Sequence, residues 1–168
     1  MKNLSLSLSL LCLALCAASV ANAAPKRLNN KFYVFDNCAS LTAAACDVTI
    51  QQPASGSQWV EFVYAQVYCS VACVLTISRD GTAATGTGAT ENSLNGGVTA
   101  TAVGFIDSDA GAGTTVQTIN IAAGETIGLS LDGIVLEDNN TTSNNLTLAT
   151  NEITGDASVY VLWAESSR

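Results

Sequence analysis

The sequence predicts an all-β domain: an antiparallel β-sandwich with jelly-roll-like wiring, eight or nine strands and disulfide staples. Three observations carry that expectation. Apolar and polar residues alternate with a period of two over most of the chain, as in half-buried strands. No stretch beyond the first two dozen residues shows the 3.6-residue apolar stripe of an amphipathic helix. Four cysteines, Cys38, Cys46, Cys69 and Cys73, lie in the part of the chain that should fold.

The opening MKNLSLSLSLLCLALCAASVANA reads as a secretory signal peptide over residues 1–23. Lys2 supplies the positive start, Leu4 to Cys16 the apolar run, and Ala21 and Ala23 the small residues that a signal peptidase reads. The expected cut follows Ala23. The apolar run is shorter than the ~20 residues needed to span a bilayer. Leu11 and Leu15, rather than small residues, precede Cys12 and Cys16, which argues against lipidation. Residues 24–168 then form a single domain that is exported and extracellular, with no membrane span. An even cysteine count in an oxidising compartment predicts two disulfides. Residues four apart in an extended strand are ~13 Å apart, so Cys69 and Cys73 can pair only if residues 70–72 turn. Three pairings are possible, two of which tie the 38–46 segment to the 69–73 region; a turn in so long an apolar stretch favours the local one, Cys38 with Cys46 and Cys69 with Cys73.

The elements follow in order. Residues 31–36 (KFYVFD) are a first strand and residues 46–51 a second, with Val48 and Ile50 inward. From Val63 the odd positions Ala65, Val67, Cys69, Val71, Cys73, Leu75 and Ile77 are all apolar. That run outlasts an ordinary strand, so a break is expected near Ser70. Residues 82–97 are small, polar and Gly-rich and read as a long surface loop. Strands at 98–106, 115–121 and 125–131 follow. Asp132-Gly133 suits a two-residue hairpin turn that sends Ile134–Leu136 back. Strands at 146–150 and 157–165 close the domain. In the last, Val159, Val161 and Trp163 share one face, and Tyr160 and Leu162 the other. A strand apolar on both faces is central in its sheet or covered by a partner. The pattern is similar to small jelly-roll modules of secreted adhesive and trimeric proteins, without a motif that names a family.

Charge and composition exclude several functions. The exported chain carries five basic residues against fourteen acids, a net charge of −9, with no base between Arg79 and Arg168. Such a chain repels nucleic acid and anionic membranes. There is no histidine, which removes the usual Ser-His-Asp, Cys-His and histidine-ligated metal chemistries. Paired carboxylates remain; Glu61, Glu125, Glu152 and Glu165 lie in or beside strands, where a small hydrolase would place them. Asp107 and Asp109, two apart before Gly111, resemble the start of a calcium loop, although Asp, Ser and Gly are also ordinary turn formers. Glu137-Asp138-Asn139-Asn140 is a second oxygen-rich loop. Phe62, Tyr64 and Tyr68 form an aromatic stripe on the even face of the long strand, suited to a sugar ring or a second subunit. Asn139, Asn140 and Asn145 match glycosylation acceptor patterns.

The functional expectation is a secreted, non-enzymatic protein working through its surface, in adhesion or as a subunit of an extracellular assembly. Its partner would be a second copy or another surface. A calcium-dependent carbohydrate-binding module and a small carboxylate hydrolase are the alternatives, with a glycan and a bound calcium the ligands they imply.

Overall fold

The computed structural model describes residues 30–42, 46–53, 58–79, 87–106, 113–137, 144–151 and 154–167. Among these there is no helix, and hence none long and apolar enough to cross a membrane. The strands are β1 (Asn30–Thr42), β2 (Asp47–Gln52), β3 (Gln58–Cys69), β4 (Cys73–Arg79), β5 (Thr87–Gly88), β6 (Asn92–Ser93), β7 (Val103–Ile106), β8 (Thr114–Ile121), β9 (Glu125–Ser130), β10 (Val135–Leu136), β11 (Asn144–Thr150) and β12 (Thr154–Ser167). Three of the twelve are two-residue bridges at sheet margins, which leaves nine of four residues or more.

All pairings are antiparallel, in two six-stranded sheets. The first runs β6-β1-β12-β3, with β9 and β10 both paired to the far side of β3. The second runs β5-β7-β2-β11-β4-β8. The long strands alternate between sheets except for β4, β7 and β8, which all lie in the second, and early strands pair with late ones: β1 with β12, β2 with β11, β3 with β9, β4 with β8.

The two sheets share one buried cluster. Phe32, Val34, Val60, Phe62, Val67, Val159, Val161 and Trp163 enter it from the first sheet, and Val48, Ile50, Leu75, Ile77, Leu146 and Leu148 from the second. Each such side chain contributes roughly 1.5–3 kcal/mol by leaving water. Phe32 and Trp163, on paired strands, bring their ring centroids to 5.9 Å.

Glu165 is buried in this cluster's margin, and its charge is answered by three donors. The backbone N–H groups of Thr101 and Ala102 reach its two oxygens at 2.8 and 2.9 Å, and the Trp163 indole N–H donates at 3.1 Å. A strand carboxylate thereby ties down the segment that leads into β7.

Both disulfides have the local pairing. Cys38 bonds to Cys46 and Cys69 to Cys73. The second closes the turn at residues 70–72, where the long apolar run breaks into β3 and β4. Across that turn, Ser70 and Asp156 exchange backbone and side-chain hydrogen bonds of 2.8 and 2.7 Å. Val71 sits at its tip, 46% exposed, and not in the inward row that parity assigned to it.

Other expectations change. The stretch 98–106 is a strand only over β7. Residues 87–97, expected as loop, hold β5 and β6, which pair with β7 and β1. Asp132-Gly133 does not make a hairpin. β9 and β10 both run antiparallel to β3, so the chain loops out at 131–134 and resumes in the same direction. The Leu131 carbonyl accepts from Ile134 N–H within that loop at 3.1 Å.

A bulge in β3 faces this excursion. The register with β12 shifts between Leu162↔Tyr64 and Trp163↔Phe62, leaving Val63 unmatched. One extra residue reverses the facing of everything on one side of it.

Candidate contact face

The outer face of the first sheet can be read row by row from the strand register. Tyr33, Leu162, Tyr64 and Ser130 form one row across β1, β12, β3 and β9. Phe35, Tyr160, Gln66 and Gly128 form the next, and Asn37, Ser158, Tyr68 and Thr126 the third. All four tyrosines of the chain therefore stand on this one face. Phe35 is 54% exposed; the tyrosines and Leu162 are half-buried. These twelve positions include no charged residue, in a chain whose net charge is −8 even before any processing.

Tyr160 is the centre. Its ring lies 5.5 Å from that of Tyr33 and 6.4 Å from that of Tyr64, on the two diagonals to its neighbouring strands. Partial burial, then the two neighbouring phenols, raise its hydroxyl above the ordinary 10.0, so it is neutral at physiological pH. The fourth row, Lys31, Ala164 and Glu61, borders the tyrosines at one end. Lys31 and Glu61 are exposed on either side of β12, while Ala164 between them is 4% exposed. Trp59, 40% exposed, lies beyond Glu61 on the same strand and face.

The second sheet is different on its outer side. Its central strands meet there through threonines, with Thr49 and Thr147 hydrogen-bonded at 2.8 Å, both buried.

The expected aromatic stripe is thus changed in membership. Tyr64 and Tyr68 are on the outer face as the alternation implied. Phe62 is not: it is fully buried in the core beside Trp163. The Val63 bulge explains the correction, since it puts Phe62 and Ala65, three residues apart, on the same side. The stripe and the apolar second face of β12 become one surface, because β3 and β12 are neighbours. Tyr33 and Phe35 escaped the sequence reading, although Phe32 and Val34 alternate with them; a strand apolar on both faces was the available signal in β1 as it was in β12.

The other candidates fall out as follows. Asp107, Asp109, Asp138, Asn139, Asn140 and Glu152 lie outside the described residues. Among the carboxylates proposed for hydrolysis, Glu165 is engaged by its three donors, Glu125 accepts from Ala122 N–H at 3.0 Å, and Glu61 is exposed at the margin of the tyrosine face. Asn145 is 1% exposed in the middle of the second sheet, which removes it as a glycan acceptor in the folded chain. Asp36, Cys38 and Cys46 place potential ligand atoms within 4.8 Å of one another, but the two sulfurs are bonded together and offer no thiolate to a metal.

The chain matches no family model, no curated protein and no solved structure.

Proposed function

We propose that this chain is an exported, non-enzymatic β-sandwich of jelly-roll type that works by contact through the outer face of its first sheet. The jelly-roll assignment is supported by the wiring: the first four long strands pair with the last four in reverse order, as in a long hairpin rolled into two layers. Export is supported by the leader pattern of residues 1–23 and by the two disulfides.

The observation that carries the functional reading is the convergence of all four tyrosines on one uncharged face. Tyrosine offers large rigid area with a polar tip at small entropic cost, and contiguous exposed aromatic surface marks interaction sites on soluble proteins. The test is a pair of proteins, the native chain and Tyr160→Glu with Leu162→Glu, assayed for self-association and for binding to intact cells of the producing organism. The reading expects at least one activity in the native protein and its loss in the variant. Two activities unchanged by the variant, or none in either protein, reject it.

A second reading takes the same face as a sugar platform. Tyr64 and Tyr68, two rows apart on one strand, are partly exposed and could stack on successive rings. A glycan array probed with and without chelator tests it, with binding lost on Tyr68→Ala as the supporting result and no binding as the refuting one.

A further inference from the structure

We infer that the partner of the tyrosine face is a second copy of this chain, docked face to face about a two-fold axis that runs along β12; this rests on the contact role proposed above.

The argument begins with charge. Copies with the same large negative charge repel, and they can approach only through a face free of acids. The three tyrosine rows are such a face. At one end they are bordered by Lys31 on β1 and Glu61 on β3, opposite in sign and placed symmetrically about β12 in one row, and at the other end by the exposed Asp156, which comes before Ser158 on β12, beyond the tyrosine rows. Among the described residues neither joins an ion pair. Rotation by 180° about β12 leaves each row opposite itself and exchanges β1 with β3. Lys31 of each copy then faces Glu61 of the other, twice over. A two-fold axis across the strands would instead set Lys31 against the Asn37 row and pair no charges.

The rest of the face is self-complementary in the same arrangement. Tyr33 meets Tyr64, Tyr160 meets Tyr160, Leu162 meets Leu162, and Asn37 meets Tyr68. A phenol both donates and accepts, so a tyrosine surface can satisfy its own copy, as a purely cationic or anionic one cannot. Aligned packing of twisted sheets within about 30° accommodates the crossing.

Area sets the strength. The three strands that face their own copies, at ~4.8 Å spacing, and four rows along them make a patch roughly 14 Å by 20 Å, so two copies bury on the order of 700 Å² with side-chain relief. That is below the usual size of a specific stable interface, so the dimer should be weak and concentration-dependent, with dissociation in the upper part of the micromolar range.

Sedimentation equilibrium of the full secreted chain from about 1 µM to 1 mM tests this. The average mass should rise from one chain towards two. Lys31→Glu and Glu61→Lys should each weaken dimerisation about tenfold or more, and the double variant, which restores both facing pairs, should recover most of the loss. Val116→Glu, on the exposed edge strand β8, adds a negative charge away from the face and should change nothing. A mass of one chain throughout, or single and double charge variants equally weakened, overturns the inference. If the mass stays monomeric while cell or glycan binding is still abolished by Tyr160→Glu with Leu162→Glu, the contact role survives and only the second-copy assignment falls.

Discussion

Tyr64 lies across Gly128. The two residues sit on adjacent strands one row apart, and a Cβ at Gly128 would come within 2.5 Å of the Tyr64 hydroxyl oxygen and 3.2 Å of its ring. An aromatic ring covering a glycine on a neighbouring strand replaces the packing that the glycine lacks. Gly128→Ala should therefore displace Tyr64 while leaving the strand pairing intact. The expected result is a stability change within about 1 kcal/mol together with increased reactivity of Tyr64 towards hydroxyl radicals, read by mass spectrometry. Unchanged reactivity would show that the ring does not rest on Gly128.

Glu165 holds residues 101–102 and the Trp163 indole at once. Removing its carboxylate leaves buried donors without an acceptor. Glu165→Ala is expected to cost about 2–4 kcal/mol, measured by urea denaturation, since each orphaned buried group costs roughly 1–3 kcal/mol. Glu165→Gln keeps one acceptor oxygen and should lie between the variant and the native protein.

The two disulfides close short loops, with sequence separations of 8 and 4. Loop-closure entropy predicts about 2.5 kcal/mol for Cys38–Cys46 and about 2 kcal/mol for Cys69–Cys73. Paired Cys→Ser variants, compared by thermal unfolding, should show this order, with the larger loss for the first bridge. The reverse order would mean that native-state packing, not chain entropy, decides.

The raised pKa of Tyr160 sets an alkaline limit. Below pH 10 the phenol is neutral in both folded and unfolded chains and stability does not depend on it. Above pH 10 the unfolded chain loses this proton first, so the balance shifts towards unfolding until the folded pKa is passed. Unfolding free energy measured from pH 8 to 11 should fall more steeply for the native protein than for Tyr160→Phe. Equal slopes would remove Tyr160 from the alkaline transition.

The strands and turns differ in how well the sequence announces them. The alternation in β4 and β12 follows from local residue order, because period-two burial has one simple geometric solution, whereas β2 is buried on both faces, Asp47 and Thr49 included. The Asp132-Gly133 loop shows the limit. Its residues suit a tight turn, and they make one, but whether the chain then pairs with the strand before it or continues along β3 depends on what β3 offers at Val60 and Glu61. β5 and β6 are invisible locally because two-residue pairings at a sheet edge need no alternation.

By itself the sequence determined the all-β class and the acidity, since each depends on residues close in the chain or on composition alone; among three possible disulfide pairings it only favoured the local one, which the structure then decided. The tertiary structure decided which aromatic residues stand together. Tyr33, Tyr64, Tyr68 and Tyr160 are dispersed over more than a hundred residues and share a face only through the antiparallel registers of β1, β12 and β3. Phe62 leaves that face because a single unmatched residue, Val63, inverts the pleat before it. Facing in a sheet is a property of pairing, and pairing partners so far apart are chosen by packing of the whole domain.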